Sequence, residues 1–141
     1  MPASGPAGRL GRRARPGSRF LPRGRGRRSG RLGGVRRGDF VTVALQGDLG
    51  KPRPALVVQA DRFDTTAAVT LLPLSSALVD APLLRLTIEP DERNGLRRSS
   101  QVMVDKPTTI AREKVGPTFG TASDTLMLAV SRALALFLGL A

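Results

Sequence analysis

Arg53 stands between two prolines at the start of the most strand-like run of the chain, Lys51 to Ala60. Proline fixes its own φ angle and favours an extended conformation in the residue before it, so Pro52 and Pro54 restrict the backbone of Arg53. The guanidinium therefore projects from a stiff point at a strand entrance, and we take this stretch as the centre of a candidate active site. The alternative interpretation is that Pro-Arg-Pro ends a loop and that Arg53 is a solvated surface charge.

The composition limits the chemistry that this site can use. The chain has 141 residues and contains no histidine, cysteine, tryptophan or tyrosine. Disulfides, thiolate nucleophiles, the usual zinc sites and histidine acids or bases are therefore excluded. Any catalysis must depend on arginine, lysine, serine, threonine, aspartate or glutamate.

The net charge of +12 lies entirely at the N-terminus. Residues 1–38 contain twelve arginines and no acid, whereas residues 39–141 contain eleven basic and eleven acidic residues. We expect residues 1–35 to be a disordered Arg/Gly/Pro-rich tail, because they have too little apolar surface to offset the entropy of ordering. Such a tail could neutralise phosphates without sequence preference. Alternatively it is an over-extended gene start, with Val35 read from a GUG start codon. Residues 36–141 are then the single domain.

From Asp39 onward the pattern predicts a mainly β fold. Strand-like runs at 39–45, 53–61, 67–75, 83–89 and 101–105 are separated by turn signals, of which Asn94-Gly95 is strong. Pro107 marks a break, after which extended structure resumes at 108–111. Successive strands without helices between them exclude a doubly wound parallel sheet. We expect about five antiparallel strands in a small, strongly bent sheet or barrel.

One helix is predicted at the C-terminus. Thr121 or Ser123 can cap it, and it should run to about Leu138. The residues expected on one face are Met127, Val130, Leu134, Phe137 and Leu138. Its apolar stretch is interrupted by Ser131-Arg132 and is shorter than the roughly 20 residues of a membrane span, so we interpret it as a core helix. Because other faces are apolar too, we expect a homodimer.

Four short motifs in sequence closely resemble the MazF/PemK family of bacterial toxins. They are Arg37-Gly38-Asp39, Arg53 to Val58 (Arg-Pro-Ala-Leu-Val-Val), Leu72 to Ser76 (Leu-Pro-Leu-Ser-Ser) and Val104 to Ile110 (Val-Asp-Lys-Pro-Thr-Thr-Ile). The resemblance implies an SH3-like barrel dimer that cuts single-stranded RNA, usually messenger RNA, at short sequences without a metal or other cofactor. It also implies attack by the ribose 2′-hydroxyl, a cyclic phosphate product, and a cognate antitoxin with an acidic, disordered segment.

The resemblance also assigns roles to individual residues. Arg53 matches the family's catalytic arginine, whose fork can stabilise negative charge on the phosphate in the transition state. Ser75 matches a hydroxyl residue that donates to the phosphate, with Ser76 as a possible substitute; a plain strand-ending turn is the alternative for both. Asp105 matches a carboxylate that serves as a base in some members, and it could equally be structural. Whether Asp105 or Arg53 moves the proton stays open.

This chain departs from the family pattern in three places. It lacks a Glu-Gln pair before Arg53, Met103 stands where some members have a second arginine, and Thr108 replaces a frequent basic residue. Transition-state charge should therefore fall more heavily on Arg53 and Lys106, and the RNA sequence preference cannot be transferred. Further candidates for phosphate contact are Lys51, Arg97 and Arg98, each of which is also typical of a solvated surface.

Two other functions fit the same pattern. A small barrel can bind nucleic acid without cutting it. The related gyrase-poisoning toxins bind a protein target through a C-terminal tryptophan, a residue that this chain lacks.

The N-terminus has no apolar run of the kind that a secretory signal needs, so we expect a cytoplasmic protein with no membrane contact.

Overall fold

A computed structural model describes residues 34–45 and 51–141. Most of the predicted tail, and the glycine-containing segment predicted as a turn at 46–50, lie outside the described residues. The described residues form seven strands and one α-helix, in chain order β1 (Asp39–Ala44), β2 (Pro52–Val57), β3 (Ala68–Ser75), β4 (Arg85–Ile88), β5 (Ser100–Met103), β6 (Thr108–Ala111), β7 (Thr118–Thr121) and α1 (Asp124–Phe137).

The strands form one curled antiparallel sheet in the order β4-β5-β3-β2-β1-β7, with β6 also paired to β3. On the edge of β3 opposite β2, β6 pairs with residues from Ala68 to Leu71 and β5 pairs with Leu74 and Ser75. The curl confirms the predicted bent, mainly β architecture with a closing helix. The sequence predicted about five strands, and it also predicted extended structure at 108–111, which is β6; β7 is the additional strand.

Alternation along the strands divides the buried side chains into two clusters, one on each face of the sheet. The first contains Phe40, Leu56, Leu72, Leu74, Val102 and Val104 and is covered by α1. The second contains Val41, Val43, Ala55, Val57, Val69 and Leu71. Odd-numbered residues of β1, β2 and β3 therefore face the second cluster, which decides the side on which any functional side chain of these strands projects.

The helix α1 begins as predicted, since the Ser123 side chain accepts a hydrogen bond from the Leu126 amide at 3.0 Å. Val130 is fully buried, and Met127 and Leu134 pack against the first cluster. At the C-terminal end of the predicted face, Phe137 is 44% and Leu138 55% exposed in the single chain.

The strand β7 depends on a close approach that no local pattern signals. A Cβ at Gly120 would lie 2.1 Å from the carbonyl oxygen of Asn94, so only glycine fits this position. Asn94 is buried, and its side chain accepts from the Asp91 and Leu96 amides and donates to the Glu89 carbonyl oxygen. The predicted Asn94-Gly95 turn is therefore present and is packed directly on β7.

The arginine of the Arg37-Gly38-Asp39 motif is structural. The Arg37 guanidinium donates to the Val58 carbonyl oxygen and to the Ser131 hydroxyl, so it joins the end of β2 to α1. Its amide donates to Asp61 at 2.7 Å. Gly38 has a φ of 93°, a conformation that favours glycine. These bonds fix the chain where it enters β1.

Arg112, which follows β6, holds the loop before β3 in a similar way. Its guanidinium donates to the Thr66 and Phe63 carbonyl oxygens and to the Thr66 hydroxyl. Burial lowers the pKa of Arg112 below its ordinary value, while the nearby charge of Asp64 opposes that change.

Within the described ranges, no helix has the length and apolarity needed to cross a membrane.

Candidate active site

Arg53 is the second residue of β2 and lies opposite Val43 in the ladder between β1 and β2. Its side chain is exposed, and by alternation it projects from the face that carries the second cluster. Pro52 and Pro54 are also in register with β1. The predicted position of Arg53, on a proline-stiffened strand entrance, is thus the position found.

The same prolines explain why β2 and β3 stop pairing beside Arg53. The Val58 amide donates to the Thr70 carbonyl oxygen of β3, so the amides of even-numbered residues of β2 face β3. Pro54 has no amide hydrogen to donate on that side. The β2–β3 ladder accordingly ends at the pair Ala55 and Pro73.

Ser75 ends β3 on the same face of the sheet as Arg53. Continuing the Ala55–Pro73 register by two residues places Ser75 opposite Arg53. The Ser75 oxygen accepts a hydrogen bond from the Ala77 amide at 3.0 Å, and its hydroxyl group makes only a long, 3.5 Å contact with the Ala77 carbonyl oxygen. The Ser75 oxygen thus stabilises the turn that ends β3. Its hydroxyl proton can be donated to a ligand, because the contact that it makes within the chain is long.

Asp105 and Lys106 lie on the other edge of β3, in the connection between β5 and β6. Two strand spacings, about 10 Å, separate that connection from the backbone of β2. The Asp105 carboxylate forms an ion pair with Lys106 at 3.6 Å, and its other oxygen, Oδ1, is buried without a hydrogen-bond partner. Because Oδ1 is buried, a substrate can meet this carboxylate only at Oδ2, the oxygen paired with Lys106.

The other predicted contacts surround these residues. Lys51 precedes Arg53 by two residues, and Ser76 follows Ser75; both are exposed. Arg97 and Arg98 are exposed in the segment that leads into β5, beside the end of β3 that carries Ser75. Lys51, Arg97 and Arg98, with Arg53 and Lys106, are the exposed basic residues that we predict to form a basic surface around Arg53, suited to an anionic chain.

Sequence reasoning missed Gln101, which is only 5% exposed. It lies between Ser75 and Thr87 in one cross-strand row of β3, β5 and β4. Its side-chain amide accepts from the Val79 amide at 3.1 Å and donates to the Val79 carbonyl oxygen at 3.0 Å. A lone glutamine in a strand carries no signal of such a contact, because the partner belongs to a loop.

A separate groove of about 570 Å³ lies between β4 and the N-terminal half of α1. Its apolar lining includes Leu86, Ile88, Leu126 and Ala129. None of the predicted site residues contributes to it, so it is distinct from the basic surface around Arg53.

Comparison with known proteins shows the family of the chain. Residues 36–138 match the family model described as PemK-like, MazF-like toxin of type II toxin-antitoxin system. The chain is also similar to a protein of Mycolicibacterium smegmatis (strain ATCC 700084 / mc(2)155) named "Probable endoribonuclease MazF". The two are 47% identical over 108 residues, which cover 76% of this chain and 99% of the other protein.

Solved structures show the same fold. An endoribonuclease in complex with its cognate antitoxin, from a mycobacterial species, superimposes with a TM-score of 0.64 at 24% identity, over 76% of this chain and 97% of that one. The Mycobacterium tuberculosis toxin MazF-mt6 gives a TM-score of 0.63 at 21% identity, over 73% and 98% of the two chains. The family match and the curated relative together establish that the chain belongs to the PemK-like, MazF-like toxins of type II toxin-antitoxin systems.

Proposed function

We propose that this toxin is an endoribonuclease that cleaves single-stranded messenger RNA at short sequences, with Arg53 at the centre of its active site. The observation that carries the proposal is the placement of Arg53 and Ser75 on one face, where the pairing of β2 and β3 ends. The curated relative, named as an endoribonuclease, supports the reaction class. The exposed cations around the site, Lys51, Lys106, Arg97 and Arg98, suit the RNA backbone.

The proposed reaction needs only the chain's own side chains. The ribose 2′-oxygen attacks the adjacent phosphorus, and the bond from phosphorus to the 5′-oxygen breaks. The products are a 2′,3′-cyclic phosphate and a 5′-hydroxyl. Arg53 holds two phosphate oxygens through its planar fork and stabilises the charge that they gain in the transition state, and the Ser75 hydroxyl donates to the same group.

The proton on the 2′-hydroxyl must leave as the new bond forms, and the departing 5′-oxygen must receive one. Asp105 is one candidate base, through Oδ2, the carboxylate oxygen paired with Lys106. Arg53 is the other candidate. Lys106, paired with Asp105, is an ammonium group that can stabilise charge on that side of β3.

We propose that no metal or other cofactor takes part. The sequence has no histidine or cysteine, and in the described part of the chain no three acidic side chains converge to form a metal site. The charge stabilisation that a metal would supply is assigned instead to Arg53 and Lys106.

The proposed partners are a second copy of the chain and an antitoxin. The exposed side chains of Leu136, Phe137, Leu138 and Leu140 form an apolar patch at the end of α1, which a dimer could cover. An antitoxin with an acidic, disordered segment would suit the basic surface around Arg53. We propose that the toxin acts in the cytoplasm.

Cleavage of defined RNA in excess EDTA tests this proposal. The purified chain should cut single-stranded RNA, leave 5′-hydroxyl and cyclic phosphate ends, and lose activity when the antitoxin is added. Binding without cleavage would favour a nucleic-acid-binding barrel, whereas activity that EDTA abolishes and magnesium restores would contradict the metal-independent mechanism.

A further inference from the structure

A buried side chain of β5 forms hydrogen bonds to the loop that follows Ser75. The loop runs from Ser76 to Leu84, between β3 and β4. Leu78 and Val79 are about half exposed. Their side chains therefore do not anchor the loop in the core, and the hydrogen bonds that its backbone makes are correspondingly important.

Gln101 supplies two such bonds to one residue. Its Oε1 accepts from the Val79 amide at 3.1 Å, and its Nε2 donates to the Val79 carbonyl oxygen at 3.0 Å and to the Thr87 hydroxyl at 3.2 Å. The Gln101 side chain therefore makes the same two bonds to Val79 that a residue of a neighbouring antiparallel strand would make with its backbone. These bonds hold the Val79 backbone next to β5.

The two bonds from Gln101 to Val79, which we call the clamp, lie close in sequence to the proposed catalytic hydroxyl of Ser75. Gln101 is the cross-strand neighbour of Ser75, and the Ser75 oxygen accepts from the Ala77 amide two residues before Val79. The segment from Ser75 to Val79 is thus held at both ends by β5, through the ladder at one end and the Gln101 side chain at the other. The Ala77 amide, which donates to the Ser75 oxygen, lies within this segment.

We propose that Gln101 is a positioning residue for RNA cleavage, which clamps Val79 and so fixes the orientation of the Ser75 hydroxyl toward the scissile phosphate. The inference rests on the proposed function and adds a residue that does not touch the substrate. It predicts a loss in the rate of the chemical step with little change in RNA affinity, because the exposed cations that hold the RNA backbone are unchanged.

The test compares Gln101→Met, which keeps the length of the side chain and removes both bonds to Val79, with Thr87→Val, which removes only the bond from Gln101 to Thr87. Amide hydrogen exchange should show faster exchange of Val79 in Gln101→Met and unchanged exchange in Thr87→Val. Single-turnover cleavage at saturating RNA should fall about tenfold to a hundredfold in Gln101→Met, since small displacements of reacting groups reduce rates on that scale. Thr87→Val should stay within about twofold.

Gln101→Glu provides the second variant if Gln101→Met does not fold. It keeps the size and the acceptor for the Val79 amide but loses the donor as a carboxylate, and it should give an intermediate rate. Melting temperatures ensure that all rates are measured on folded protein. A Gln101→Met protein with faster Val79 exchange and an unchanged cleavage rate would overturn the inference, as would unchanged Val79 exchange. A wild-type chain that cuts no RNA would instead show that the proposed function is wrong.

Discussion

Arg53 and Val43 are cross-strand neighbours in the ladder between β1 and β2, and their side chains project from the same face of the sheet. Val43 is 2% exposed and belongs to the second cluster, whereas Arg53 is exposed. The apolar cluster therefore ends at Arg53. The Arg53 guanidinium lies outside the packed second cluster, while its backbone is held in the β1–β2 ladder. A hydrogen-bond donor that stabilises developing negative charge must be held in place in this way.

Ser75→Ala should reduce single-turnover cleavage about tenfold to a hundredfold, because it removes one donor to the phosphate. It also removes the acceptor for the Ala77 amide, an exposed bond that typically contributes about 1 kcal/mol or less to stability. Ser76→Ala is the matched control, since Ser76 is the exposed neighbour, and it should keep the wild-type rate. Ser75→Thr should keep most of the activity. If instead Ser76→Ala is the inactive variant, the catalytic hydroxyl belongs to Ser76.

Asp105→Asn distinguishes the two candidate bases. If the carboxylate takes the 2′-hydroxyl proton, the single-turnover rate should fall by about a hundredfold to ten-thousandfold. Stability should change little, because the pair with Lys106 is partly exposed and the amide replaces a carboxylate whose Oδ1 lacks a donor. A variant that retains wild-type cleavage would assign the proton transfer to Arg53.

Two N-terminal deletions test where the domain begins. Removing residues 1–33 should leave the melting temperature unchanged, since the proposed domain starts near Val35, which packs against the second cluster. Removing residues 1–37 also deletes the Arg37 bonds to Val58 and Ser131. We expect that deletion to lower the melting temperature by about 5–10 °C, from a loss of about 1–2 kcal/mol in a domain of this size. Equal melting temperatures for the two deletions would contradict the structural role of Arg37.

The apolar end of α1 gives a test of the proposed dimer. Replacing Leu136 and Leu140 with glutamine should shift sedimentation toward the monomer, because it places uncompensated polar groups in the proposed interface. Both side chains are exposed in the single chain, so the fold should remain intact by circular dichroism. A wild-type chain that sediments as a monomer would contradict the proposal directly.

The sequence predicted those parts of the structure that depend on local rules. Arg53 at a strand entrance, Ser75 at a strand end and Ser123 as the helix cap follow from proline geometry, turn chemistry and capping. β7 did not follow, because Gly120 reads as a breaker and is explained only by the nearby Asn94 backbone. The clamp on Val79 depends on a contact 22 residues apart in the chain, which no pattern around Gln101 indicates.

The most direct test of the account is single-turnover cleavage of a defined single-stranded RNA by Arg53→Ala. Because Arg53 is exposed outside the second cluster, the variant should fold as the wild type does by circular dichroism and still bind the antitoxin. Its rate should fall about a hundredfold to a thousandfold, toward the upper limit because Met103 cannot replace the lost charge. Arg53→Lys should restore little of it, since an ammonium lacks the bidentate fork. A folded Arg53→Ala protein that cuts RNA at nearly the wild-type rate would contradict the central claim.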